Sequence, residues 1–341
     1  MYCFNSDYLE GAHPRILQRL AESNLVQTPG YGLDPYCESA RAKIRAACHC
    51  PGAAVHFLAG GTQTNATVIG ALLRSYEGVL AADTAHINGH EAGAIEKGGH
   101  KVLTLPGKEG KISAEQIRDY LEAYQAEPAR EHLVRPGMVY ISQPTEIGSL
   151  YSSTELSALA NVCHHYGLPL YLDGARLGYG LAALTNDVDL PFIARCCDAF
   201  YIGGTKVGAL FGEAVVLPEP RLIPGFFSII KQNGALMAKG RILGLQFDTL
   251  FTDDLYLQIS RHAIIQAERL KQGLQARDCP FYYASPTNQQ FIILSEAQAD
   301  RLSPYVSWED WQKLDESHSV VRLATSWATP PEAVDCLLSR F

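Results

Sequence analysis

Four short segments of the sequence carry residue types able to do chemistry, and each stands where an apolar run ends. Phe200-Tyr-Ile-Gly-Gly-Thr-Lys206 sets Thr205 and Lys206 after a strand-like run and two glycines, with Val207, Gly208, Ala209 and Leu210 following. A lysine in such company is partly desolvated, gives up its proton more readily and becomes a Schiff-base nucleophile. Leu170-Tyr-Leu-Asp-Gly-Ala-Arg176 places Asp173 at a strand end, where a carboxylate can hold the ring nitrogen of a cofactor protonated. Ala59-Gly-Gly-Thr-Gln-Thr-Asn65 joins a strand pattern to a helix pattern. Its paired glycines let the backbone approach a ligand, free amides at a helix start attract an anion, and Thr62 adds a hydroxyl. Asp83-Thr-Ala-His-Ile-Asn-Gly-His-Glu-Ala-Gly93 carries His86, which can stack on a flat ring or shuttle a proton. Taken singly, each segment has a plainer reading as an ordinary turn, a helix-capping acid, a surface lysine or a structural histidine.

The elements that must position these residues are legible from periodicity. Strand-like runs occur at 54–58, 79–82, 102–105, 138–142, 170–172, 199–202 and 214–217, with helix-length patterns between most of them. Such alternation predicts a mainly parallel seven-stranded sheet covered by helices, an α/β architecture whose ligands sit outside the carboxyl ends of the strands. Asp34-Pro35 predicts a helix start, and Ser113-Ala-Glu-Gln116 and Ser152-Ser-Thr-Glu155 read as capping boxes. Past Leu217, three prolines precede long helical patterns over 228–275, then a short α+β tail with strands near 291–294 and 320–324. We expect a large domain over 31–250 and a smaller α+β domain from 1–30 and 251–341.

Composition narrows the function classes. With 341 residues there is chain enough for both domains, and the net charge of -8 without a basic stripe excludes a nucleic-acid partner. Nine scattered cysteines read as reduced thiols of a cytoplasmic protein, not as a disulfide frame. Cys48-His-Cys50 lacks a second ligand pair at zinc spacing, so no metal is expected. No apolar run reaches membrane-spanning length, and the first residues lack the apolar core of a signal peptide.

In their order, these motifs resemble the threonine aldolase and β-eliminating lyase family, whose members depend on pyridoxal 5'-phosphate (PLP) and share the aspartate-aminotransferase-type fold (fold type I). The resemblance runs from Asn5-Ser-Asp7 through Tyr31-Gly32 and the four segments above to Val321-Arg-Leu-Ala324. It implies that Lys206 carries the cofactor, Asp173 pairs with its ring nitrogen, and His86 stacks on the ring. It further implies that Gly61, Thr62 and Gln63 cradle the phosphate, with Thr205 and Arg176 also near the cofactor. Ser6, Arg176 and Arg322 would hold the substrate carboxylate, a task suited to the guanidinium fork. Tyr31 would reach a neighbouring subunit's site in a homodimer or homotetramer. One departure stands out: where threonine aldolases typically carry Asn-Thr-His-Asn, this chain has Gln143-Pro-Thr-Glu-Ile147, with Glu146 in the histidine's place. The implied activity is cleavage of the Cα–Cβ bond of a β-hydroxy-α-amino acid. Glu146 leaves β-elimination from an aromatic or sulfur amino acid, or transamination, as alternatives. Retention of both Lys206 and Asp173 argues against a catalytically silent binding protein of the same fold.

Overall fold

The computed structural model describes all residues, 1–341. Thirteen strands run in chain order as β1 Tyr2–Cys3, β2 Ala54–Leu58, β3 Glu77–Ala82, β4 Val102–Leu105, β5 Arg135–Ser142, β6 Leu170–Asp173 and β7 Ala199–Gly203, then β8 Glu213–Leu217, β9 Phe281–Tyr283, β10 Gln289–Ser295, β11 Val306–Ser307, β12 Glu309–Lys313 and β13 His318–Ala324. Seven of them form the central sheet in the order β2-β8-β7-β6-β5-β3-β4. Only β8 is reversed, pairing antiparallel with both β7 and β2. β6, β7 and β8 are buried along their whole lengths, which is why their sequences are apolar without alternation apart from Asp173 and Glu213 at the ends of β6 and β8.

The predicted helix starts form as expected. The Asp34 side chain accepts from the Cys37 amide with Pro35 in the first helical position, and both capping boxes close in both directions. A third box at Ser295 and Gln298 opens the helix Glu296–Leu302. The helical stretch expected over 228–275 resolves into three helices, Phe226–Gln232, Arg241–Leu250 and Leu255–Gln275. Left-handed backbone at Gly234, Asp253 and Asp254 separates them (φ 67°, 53° and 57°), a break that apolar periodicity does not register.

A second sheet, β12-β13-β10-β9, is antiparallel throughout, and β1 pairs with β11 nearby. Its apolar cluster contains Phe4, Ile292, Leu294, Val321, Leu323 and Val334. The helix Leu255–Gln275 joins the two cores: Tyr256, Ile259 and Ala263 pack in the large one, Leu270 and Leu274 in the small one. Ala12 and Ile16 from the N-terminal segment also enter the large core.

The turns leaving β6 and β7 meet backbone to backbone. The Gly203 amide donates to the Gly174 carbonyl at 2.9 Å. A Cβ on Gly174 would stand 1.9 Å from the Tyr201 carbonyl oxygen, and one on Gly203 would stand 2.3 Å from that of Ala175. Glycine at both positions therefore lets Asp173 and Lys206 approach one another. Gly174→Ala should lower stability in urea unfolding by about 3 kcal/mol, the upper end of overpacking costs. Gly11→Ala, with nothing within 4 Å of the added carbon, should leave it unchanged.

Candidate active site

A pocket of about 320 Å³ opens where the parallel strands end. Asp173 and Ser142 are the last residues of β6 and β5; His86 follows β3, Gly60 and Gly61 follow β2, and Lys206 follows β7. Glu213 begins the reversed strand β8 and so arrives at the same edge. Of the residues singled out in the sequence, Gly61, Thr62, His86, Glu146, Asp173, Arg176, Thr205 and Lys206 all line this pocket.

Asp173 is buried and fully engaged. Its Oδ1 accepts from the Tyr201 hydroxyl (2.5 Å) and the Ala175 amide (2.9 Å), and its Oδ2 accepts from the Tyr140 hydroxyl (2.7 Å) and the Asn65 amide (2.9 Å). Asn65 Nδ2 also donates to Glu91 (2.7 Å), and Glu91 meets His86 Nδ1 at 2.8 Å. A carboxylate in that place requires Nδ1 to carry the imidazole proton, which leaves Nε2 with the free lone pair. The His86 backbone amide donates to Glu146 Oε1 (3.0 Å), as does the Ser142 hydroxyl (2.8 Å). Ser142 has a single hydroxyl hydrogen, so Tyr140, 3.3 Å away, competes with Glu146 for it. Burial raises the Glu146 carboxyl above the ordinary carboxylate value.

Lys206 is half-buried, and burial together with the nearby Arg176 charge brings its amine down to about 8. Tyr8 stands by, its ring centre 5.8 Å from Nζ. Thr205 donates to Glu213 at 2.8 Å and accepts from the Gly212 amide. At the phosphate-type end, the helix Gly61–Leu72 starts without a side-chain cap, and the amides of Gly61, Thr62 and Gln63 have no backbone acceptor. Gln63 itself turns its side chain back, accepting from Ala59 N at 3.4 Å, so only its amide is offered to an anion.

The N-terminal tripeptide Asn5-Ser6-Asp7 is strung between two arginines. Arg176 grips Asp7 through Nε (2.7 Å) and an Nη (3.1 Å), and Asn288 from the small domain adds a third bond at 2.9 Å. Burial alone would raise the Asp7 carboxyl, but the charges of Arg176 and Lys206 hold it at about 2. Arg322 on β13 bonds the Asn5 carbonyl at 2.9 Å, pairs with Glu309 and meets Gln289 at 3.1 Å. Between these anchors Ser6 Oγ and Arg322 Nε are buried without a partner. Two orphaned donors beside one pocket suit an incoming carboxylate, since leaving such groups unpaired is costly. Ser6 and Arg322 lie beside the pocket and not in its wall, and Arg322 is buried although its strand alone suggests a surface position. Tyr31 lies elsewhere: it is exposed, under the Lys231 ammonium at 4.4 Å, and takes no part in this chain's own pocket.

Asp7, Asn65, Glu91, Tyr140, Ser142, Tyr201 and Glu213 also belong to the site; Asp7, Asn65, Glu91 and Tyr201 lie within segments singled out in the sequence, but nothing there marks their own roles. Tyr140 and Tyr201 sit within apolar strand runs, where a tyrosine reads as core. Only their neighbour across the sheet gives them a polar task.

The comparisons with known proteins agree with this geometry. The β-eliminating lyase family model matches residues 4–297. The chain belongs to that family. A low-specificity L-threonine aldolase of Pseudomonas aeruginosa is 31% identical over 97% of this chain and 94% of its own. The solved structure of a threonine aldolase from Leishmania major is 40% identical, covers 99% of this lyase and 98% of its own chain, and superposes with a TM-score of 0.96. Aspartate aminotransferase of Thermus thermophilus shares the fold at 16% identity, with a TM-score of 0.72 over the whole of this chain and 91% of its own. The architecture is therefore that of the aspartate aminotransferases, and the lyase is threonine-aldolase-like. The family implies PLP. The donors present fit that group: a reactive amine, an ionisable acid on the pocket floor and a row of free amides for a phosphate.

Asp7→Asn should destabilise the fold by about 3 kcal/mol at pH 7, because it strips the buried Arg176 charge of its partner. Asp7 is depressed on folding, so its contribution is complete above 3.8 and is lost as pH falls towards about 2. The gap between wild type and variant in denaturant midpoint should narrow over that interval.

Proposed function

We propose that this lyase is PLP-dependent and cleaves the Cα–Cβ bond of β-hydroxy-α-amino acids such as L-threonine and L-allo-threonine, giving glycine and an aldehyde. The observation that carries the proposal is the convergence of Lys206, Asp173 and the half-buried Glu146 on one pocket. PLP, when bound, supplies an electron-poor ring that accepts the electron pair released from the breaking bond. Lys206 would hold it covalently, Asp173 would keep its ring nitrogen protonated, and His86 would lie against its face. The Gly61, Thr62 and Gln63 amides would hold the phosphate, with Thr205 beside it.

The substrate's carboxylate would take the free Ser6 hydroxyl, the Arg322 Nε–H and the guanidinium face of Arg176 that Asp7 leaves open. Three fixed donors orient the Cα–Cβ bond, so losing one reduces turnover as well as binding. Glu146 accepts the proton of the β-hydroxyl. Its Oε1 is occupied by His86 and Ser142, so Oε2 is the working atom. Burial raises this carboxyl above its ordinary value, so once ionised it is a stronger base than an ordinary carboxylate. A β-elimination would need no such acceptor on the β-oxygen.

A homodimer or homotetramer accounts for Tyr31. Its ring is exposed, as are the apolar side chains of Leu25, Val26 and Leu33 in the same stretch of chain, and a second subunit would cover them. A cytoplasmic setting suits nine cysteines that are all free.

Incubation with L-threonine, L-allo-threonine and phenylserine should release glycine and the matching aldehyde, with Lys206→Ala colourless and inactive. A 2-oxo acid and ammonia, with no glycine, would transfer the assignment to β-elimination. Glu146→Gln should lower kcat by about a hundredfold to a thousandfold with little change in KM. In wild type the rate should rise with pH above the usual carboxylate range as Glu146 ionises, and that limb should vanish in the variant.

A further inference from the structure

Glu213 is a buried carboxyl with no basic side chain bonded to it. The register of the sheet puts it opposite Gly203, and its partners are two neutral donors, the Gly204 amide at 3.2 Å and the Thr205 hydroxyl at 2.8 Å. Those two residues immediately precede Lys206, and Glu213 and Lys206 line the same pocket. Placing a carboxyl there without an ion pair is costly unless a cation shares the cavity. We propose that Glu213 is a positioning residue for Lys206: it holds the backbone leading into the lysine, and its negative charge stabilises the protonated nitrogen at the lysine's tip. The proposal deepens the functional reading above and rests on Lys206 being the reactive amine.

The charges around the amine come from every element packed on it. Arg176 opposes its protonation, whereas Asp7 from the N-terminal segment, Asp173 on β6 and Glu213 on β8 favour it. Asp7 is spent on Arg176, and Asp173 is enclosed by four donors. Glu213 is the acid whose bonds run directly to the Lys206 segment. Buried Tyr171, Tyr201 and Tyr256 surround it without charge. Burial lifts the Glu213 carboxyl to about 8, with the Thr205 hydrogen bond and the Lys206 charge opposing that rise. Burial lowers Lys206 while the Glu213 charge opposes that fall, so the titrations of the two groups are linked.

The test is the pH midpoint of Lys206 labelling by an amine reagent in the full chain stripped of cofactor, read by peptide mass spectrometry. The loaded protein's visible absorbance, titrated against pH, is a second readout. Removing the charge in Glu213→Gln should lower both midpoints by about one pH unit. Glu213→Asp keeps the charge and should hold them near wild type. Thr205→Val leaves the carboxyl but removes the hydroxyl that favours its ionised form, so it should lower them by less, and it serves if Glu213→Gln does not fold. Unmoved or raised midpoints in the charge-weakening variants, or an equal fall in Glu213→Asp, overturn the proposal. If wild type neither labels at Lys206 nor develops colour with PLP, it is the functional reading that fails.

Discussion

The active-site geometry rests on one backbone contact, the touching of the turns after β6 and β7. Two glycines remove the side chains that would hold these turns apart, and one amide-to-carbonyl bond fixes their spacing. Asp173 precedes one glycine and Lys206 follows the other closely, so the separation of the segments that carry acid and amine is set by main chain. Main-chain geometry is stiffer than any side-chain rotamer, and a site built on strand ends inherits that stiffness. The fully buried strands behind it have their backbone groups paired across the sheet and little freedom to yield.

Around this contact the polar groups satisfy one another. Asp173, Asn65, Glu91, His86, Glu146 and Ser142 form a chain of hydrogen bonds, with Tyr140 donating to Asp173 from the other side, and each member restricts the orientation of the next. Several carboxyls share a small volume, and the structure separates their tasks by their partners. Asp7 is matched by an arginine, Asp173 by four neutral donors, and Glu146 and Glu213 by fewer donors and no arginine. The different partners hold Asp7 low and push Glu146 and Glu213 up.

The parts legible in the sequence are those with a local cause. The seven central strands, the Asp34-Pro35 start and two capping boxes follow from periodicity and from side chains reaching two or three residues along the chain. Lys206, Asp173 and His86 are legible because each lies within four residues of the end of an apolar run. Glu213 and Glu91 are not, because their meaning depends on a neighbour brought in by the sheet: Glu213 opposes Gly203 only once β8 runs backwards. Tyr140 and Tyr201 were hidden for the same reason, their hydroxyls meeting Asp173 across strands. The breaks within 228–275 were missed because left-handed aspartates leave no mark on apolar periodicity.

The threading of Asn5-Ser6-Asp7 between Arg176 and Arg322 bears on how the molecule assembles. One anchor follows the central strand β6 and the other lies on β13 of the second sheet, 169 and 317 positions along the chain from their partners in the tripeptide. The central sheet can form from its own strands, but the pocket has no finished edge until both sheets are in place and have captured this segment between them. Competence is therefore a property of the whole fold, and a molecule with only the central sheet folded would be idle.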